Sequence, residues 1–158
     1  MTFRKTKKEE ADRVRALYGA VIGLPFCTWN EDYPGEEEIR SDLSSGTLYV
    51  LEDGGELFGA ISIVPENELD GFDCWKVKEG AREFARVVIS PDRQQKGLSH
   101  LLVEGILEVL SGMGTKAVHL SVAKKNVPAR KLYESTGFKI TGEADMYGNS
   151  YYLCEKVL

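Results

Sequence analysis

Histidine is scarce: only His100 and His119 occur among 158 residues. Neither belongs to an H-E-x-x-H or comparable ligand spacing, which excludes the common zinc centres, and no metal is expected. The three cysteines, Cys27, Cys74 and Cys154, form no C-x-x-C pair and leave an odd count. That argues against a disulfide framework and for reduced thiols in a cytoplasmic protein. No apolar run approaches the length of a membrane span, and Met1-Thr2-Phe3-Arg4-Lys5 lacks an apolar signal core, so the chain reads as soluble. A basic excess is missing as well. The 20 lysines and arginines face 25 aspartates and glutamates, a net charge of −5, which argues against nucleic acid or an anionic membrane as partner. There is no internal repeat, low-complexity tract or linker. With 42% apolar and 28% charged residues, residues 1–158 read as one domain large enough for a substantial core.

What is present is a series of well-marked elements. Residues 2–6 suit a short edge strand. Val14, Leu17, Tyr18, Val21 and Ile22 recur on one helical face, and Gly23-Leu24-Pro25 stops that helix. A second helix follows Pro34-Gly35. Its first turn holds Glu36, Glu37 and Glu38, which the helix dipole explains; attraction of a cationic substrate is the alternative. Strands are read at 47–51 and 57–64 around the hairpin signal Asp53-Gly54-Gly55. Residues 65–80 form a polar loop whose Phe72, Cys74 and Trp75 either cover a core edge or line a pocket. A strand at 82–89, a helix at 97–111 closed by Gly112 and Gly114, and a strand at 117–122 come next. His119 in that strand reads as a partly buried structural residue. Asn126 as N-cap, Pro128 in the first turn and Gly137 beyond the end mark another helix. Strands near 138–144 and 150–157 flank the turn Tyr147-Gly148-Asn149. The order is βααβββαβαββ, an α/β chain.

One stretch organises the rest. Val87-Val88-Ile89 is a β-branched strand that breaks at Ser90-Pro91. A polar loop, Arg93-Gln94-Gln95-Lys96-Gly97, leads into Leu98, Leu101, Leu102 and Ile106 on one helix face. Strand, tight basic loop and helix N-terminus together present unpaired N–H groups to an anion, with the positive end of the dipole behind them. The plainer reading keeps Gly97 for backbone freedom alone. Arg93, Lys96 and His100 flank the loop, and Lys124, Lys125, Arg130 and Lys131 cluster later. If the two regions adjoin, an acidic protein gains a local positive site; otherwise these side chains solvate helix starts.

Gln94-Gln95-Lys96-Gly97-Leu98-Ser99 resembles the acyl-CoA-binding signature Gln/Arg-x-x-Gly-x-Gly/Ala of the GNAT superfamily of N-acyltransferases, with Ser99 in place of the last small residue. Residues Asn126 to Phe138, NVPARKLYESTGF, resemble the family's Asn…Leu-Tyr-Glu-x-x-Gly-Phe block, and the element order matches over essentially the whole chain. The resemblance implies a twisted, mixed, mostly antiparallel sheet with helices on both faces, and acetyl-CoA as acyl donor. It lays the pantetheine arm along Val87, Val88 and Ile89 by strand-like amide pairing. It assigns the loop Gln94, Gln95, Lys96, Gly97, Leu98, Ser99 and His100 to the cofactor's phosphates, with Asn126 contacting it from the facing helix.

The same resemblance gives Tyr133 the role of acid toward the departing thiolate, against the plainer reading of a packing tyrosine. Glu83 belongs to a Glu-x-x-Arg-x-x-(Val/Ile) pattern and becomes the base, acting through a water; the alternative is a solvated carboxylate paired with Arg82 or Arg86. Some relatives carry an acid where Ser121 stands, and serine is no strong base. By analogy Trp29, Tyr33 and Trp75 line the acceptor pocket. The implied reaction is acetyl transfer from acetyl-CoA to a primary amine, of a small molecule or a peptide, by direct attack in a ternary complex. A route through Cys74 lacks any neighbour in sequence to activate its thiol. A non-catalytic acyl-CoA-binding or sensing module is the alternative, supported by Ser99 and Ser121. A homodimer is left open.

Overall fold

A computed structural model describes residues 1–64, 68–94 and 97–158. In chain order the elements are β1 (Thr2–Lys5), α1 (Ala11–Val21), α2 (Glu36–Ser45), β2 (Leu48–Asp53), β3 (Glu56–Val64), β4 (Ala81–Ile89), α3 (Leu98–Gly112), β5 (Ala117–Ala123), α4 (Val127–Ser135), β6 (Lys139–Met146) and β7 (Asn149–Val157). This is the order βααβββαβαββ expected from the pattern. Boundaries move by a residue or two: Ile22, assigned to the first helix, is already extended at ψ 131° and caps α1.

The seven strands form one sheet in the order β1-β2-β3-β4-β5-β7-β6. Every neighbouring pair is antiparallel except β4 and β5. Alternation sorts the side chains to two faces. On one, Val118, Leu120 and Val122 of β5 and Cys154 of β7 pack with Leu102 and Ile106 of α3 and Leu132 and Tyr133 of α4. On the other, Leu48, Val50, Ala60 and Val88 pack against Val14, Leu17 and Tyr18 of α1 and Ile39 of α2. The helices therefore cover both faces, as the resemblance implies. α1 and α2 do not reach β5 and β7. There the segment 68–80 serves as cover, with Leu69 and Trp75 packed on Leu153, so the apolar residues of that loop close a core edge.

Helix α3 crosses the sheet close to β1. A Cβ at Gly105 would meet the Phe3 ring at 2.7–2.9 Å, and that ring is stacked on Tyr49 at 5.3 Å. Alanine gains about 1 kcal/mol of helix propensity over glycine, whereas overpacking costs about 1–3 kcal/mol. Because Phe3 cannot swing clear without leaving Tyr49, Gly105→Ala is expected to lower Tm by roughly 2–4 °C, about 1 kcal/mol net. An unchanged or raised melting temperature would show that the ring yields freely.

Candidate active site

β4 and β5 run parallel but pair only at Ala81↔Ala117, Arg82↔Val118 and Glu83↔His119. Beyond that point β4 continues beside β3, and β5 beside β7. The sheet opens between them. The cause lies in β4 itself. Ala85 pairs with Ser62 and Val88 with Ala60, so Arg86 and Val87 stand opposite the single residue Ile61. This is a β-bulge, which bends a strand and sharpens its twist; Arg86 carries its backbone at φ 55°. The main chain of Val87, Val88 and Ile89 borders the opening.

The far end of the opening is a helix start. Ser90 N–H bonds to the Phe58 carbonyl at 2.7 Å, and the Gln94 side-chain amide donates back to the Ile89 carbonyl at 3.2 Å. Gly97 then begins α3 at φ 74° and, as a glycine, brings no side chain of its own to cap the first-turn amides. Among the described residues, its chain neighbours aside, no atom lies within 4 Å of where its Cβ would be, so on that side the main chain is open to approach. Leu98 is buried and offers only its backbone. His100 Nε2 lies 2.7 Å from Ser135 Oγ. That hydroxyl already donates to the Leu132 carbonyl, so the imidazole is the donor and ties the start of α3 to the end of α4. Asn126 caps α4, accepting from Ala129 N–H at 3.2 Å. Gln95 and Lys96, both assigned to the phosphates, lie outside the described residues.

Glu83 and Phe84 are neighbours on β4, so their side chains point to opposite faces. Phe84 meets Tyr133 at 5.9 Å, and Tyr133 meets Phe138 at 5.8 Å. Tyr133 is 8% exposed, and burial pushes its phenol well above the ordinary range. It stays protonated at neutral pH. Glu83 faces the other way, under the segment 68–80. Burial pushes its carboxyl up to about 7; an N–H bond from Leu69 opposes this, and the charges of Asp70 and Glu68 add to it. That bond, at 3.1 Å, stands in place of the alternative reading, a solvated carboxylate paired with Arg82 or Arg86. A group that holds a proton and one that takes it near pH 7 thus flank the place where β4 and β5 part.

The sequence profile of the Acetyltransferase (GNAT) family matches residues 15–138. The chain belongs to this family. It is 28% identical over 97 residues to a [ribosomal protein bS18]-alanine N-acetyltransferase of Salmonella typhimurium, covering 61% of the chain and 64% of that relative. It is 26% identical over 158 residues to a peptidyl-lysine N-acetyltransferase of the same organism, covering 97% and 94%. In fold it resembles a GNAT acetyltransferase of Streptococcus agalactiae, with TM-score 0.84, 21% identity and coverage of 99% and 95%. A Salmonella typhimurium protein solved with its cofactor acetyl-CoA gives TM-score 0.79 and 18% identity, covering 100% and 94%.

Within this GNAT chain the three proposed acceptor residues fare differently. Tyr33 is 43% exposed, and its hydroxyl lies 3.3 Å from Arg86 Nη1. Trp29 is half-buried on the edge of Tyr18 at 5.4 Å. Trp75 is 4% exposed: its ring stacks on His119 at 3.8 Å, and its N–H donates to the Leu69 carbonyl. It supports the wall from beneath rather than facing a ligand. The described basic side chains take partners within the fold, and Lys124 stays beside Arg130, which donates to its carbonyl. Arg93 lies 4.0 Å over Phe58. Lys124 pairs with Glu143. Arg130 lies 4.8 Å over Tyr152. Cys154 lines a cleft of about 490 Å³ between α4 and β5, β6 and β7, but burial pushes its thiol up to about 11, which makes it a poor nucleophile.

Two acids escaped the sequence reading. Glu155 accepts from Lys76 N–H and Val77 N–H, each at 3.0 Å, and lies 2.8 Å from His119 Nε2. Burial pushes its carboxyl up, but these partners outweigh that and hold it below the usual range. His119 is accordingly structural, and fully buried. Asp42 is 2% exposed and lies on α2 beneath the bulge, where its carboxylate accepts from Arg86 and Ser62. The one local hint was an aspartate in the C-terminal half of a helix, the end whose dipole disfavours it.

Proposed function

We propose that this chain is an acetyl-CoA-dependent N-acetyltransferase in which a primary amine attacks the donor directly within one ternary complex. The carrying observation is the opening between β4 and β5 that ends on the start of α3. Bound acetyl-CoA supplies the activated acetyl group. The main chain of Val87, Val88 and Ile89 holds its amides as an added strand would. The amides of Leu98, Ser99 and His100 receive its diphosphate at the positive helix end, on a loop braced by Gln94 and entered through Gly97. Asn126 sets the start of α4 against it. A main-chain N–H within 87–89 receives the carbonyl oxygen as charge develops there, commonly the largest catalytic contribution.

An amine with an ordinary pKa of about 10.4 is only about 0.04% neutral at pH 7. Glu83 takes the proton the nitrogen must lose, directly or through a water, and Tyr133 supplies one to the departing sulfur from the opposite face. The acceptor enters on the Glu83 side, past Tyr33 and Trp29. The exposed Tyr147 belongs to the same mouth, its phenol raised first by the charge of Glu68 and further by Tyr33. With Glu68 and Asp70 beside Glu83, this side suits a cationic amine on a small molecule or a peptide. Three free thiols suit a reducing, cytoplasmic setting.

Release of CoA thiol from acetyl-CoA across a panel of amines tests the reading. No release with any amine would favour an acyl-CoA-binding module, for which the exposed Ser121, standing where some relatives carry an acid, is the support. Tyr133→Phe is expected to lower kcat about 10²-fold, the scale of general-acid catalysis, with CoA affinity within about twofold of the parent. Unchanged turnover would remove Tyr133 as the acid.

A further inference from the structure

We propose that Asp42 is a positioning residue for acetyl transfer: through Arg86 it pins the β4 bulge whose main chain receives the thioester. The proposal rests on the groove reading above and concerns a residue remote from the groove. Arg86 is a non-glycine residue at φ 55° inside a strand, a conformation L residues adopt rarely and keep only where their surroundings impose it. The imposing contact is plain. Arg86 Nη2 donates to both Asp42 carboxylate oxygens at 2.7 and 2.8 Å, and Nε donates at 3.1 Å. The two side chains are 10% and 2% exposed. Ser62 Oγ, on the strand paired with β4, donates to the same carboxylate at 2.7 Å. Among the described residues, Arg86 Nη1 reaches the Tyr33 hydroxyl, at 3.3 Å.

A planar guanidinium held by two parallel bonds has a fixed direction as well as a fixed place. Its Cα is therefore fixed too, and with it the peptide joining Arg86 to Val87. That peptide lies where the strands have just parted and begins the run 87–89. Rigid placement of a charge-receiving N–H matters because a misplacement of about 1 Å can cost about 10²-fold in rate. The charge of Arg86 is matched by Asp42, so the pair acts on geometry and leaves no free cation for a substrate.

The test compares the parent, Asp42→Asn and the double variant Asp42→Asn/Arg86→Gly. Each is assayed for turnover and for binding of acetyl-CoA against its S-ethyl thioether, in which a methylene replaces the carbonyl. Asp42→Asn is expected to lose about 10²-fold in kcat and to bind the two ligands equally, while CoA itself binds as in the parent. Glycine accepts φ 55° without strain, and the double variant leaves no buried charge. It is expected to sit about tenfold above Asp42→Asn and about tenfold below the parent. Should Asp42→Asn not fold, the double variant alone is compared with the parent. Parent-like kcat and carbonyl preference in either variant overturns the proposal, as does a folded double variant no better than Asp42→Asn. A parent that binds acetyl-CoA no better than the thioether overturns the groove reading, and the proposal with it.

Discussion

Glu83→Gln is expected to lower kcat/KM at pH 8 by about 10²–10⁴-fold, the usual contribution of a positioned general base. The same substitution should raise the stability of the fold at that pH. In the parent, kcat/KM should climb with pH through a limb centred near 7, where burial has pushed the Glu83 carboxyl, and the variant should lose that limb. The stability effect has the opposite sign for a definite reason. An unfolded glutamate titrates near about 4.3, so the folded state binds this proton more tightly than the unfolded one. The associated stability is fully present below the unfolded value and is lost as pH rises through about 7. Glutamine keeps an oxygen for the Leu69 N–H and carries no charge to bury. Denaturant midpoints from pH 5 to 8 should therefore fall more steeply for the parent than for the variant. A variant with parental kcat/KM, or one whose stability keeps the parental slope, would show that Glu83 is neither the base nor a proton reservoir.

Residues whose structural role depends on nearby sequence were legible. The apolar stripe Val14, Leu17, Tyr18, Val21 fixes the buried face of α1, because helical periodicity is a local property. Asn126, Pro128 and Gly137 mark the ends of α4 for the same reason. The segment from Val87 to Gly97 showed its strand, break and helix start. What stayed hidden joins distant parts of the chain. Asp42 and Arg86 are 44 positions apart, Glu155 and Lys76 are 79 apart, and nothing local announces either pair. Trp75 reads alike whether it lines a pocket or covers a core; its stack on His119 decides the matter, and that contact exists only once the segment folds back on β5. Basic side chains mislead in a related way. Arg93 and Arg130 are near their expected ligand in sequence, but their long side chains lie over Phe58 and Tyr152, since a guanidinium covers apolar and aromatic surface readily.

Gly97→Glu is expected to weaken CoA binding by about 10²-fold or more without unfolding the protein. Two effects act on the new residue. Any Cβ at φ 74° meets a backbone penalty of about 1–2 kcal/mol. A carboxylate at a helix start, in contrast, is favoured by about 0.3–1 kcal/mol, so the net change in stability is small. The ligand faces a different balance. A negative charge about 5 Å from a diphosphate, at an effective dielectric near 20, is repelled by about 3 kcal/mol per unit charge, which is about 10²-fold in affinity. Gly97→Ala separates strain from charge: it carries the backbone penalty alone and is expected to bind CoA within about tenfold of the parent. Titration of both variants with CoA and with dephospho-CoA, which keeps the diphosphate but lacks the ribose phosphate, gives the decisive comparison. Equal losses for the two ligands place the diphosphate at this helix start. A loss confined to CoA moves the ribose phosphate there instead, and full retention in Gly97→Glu removes the loop from the binding site.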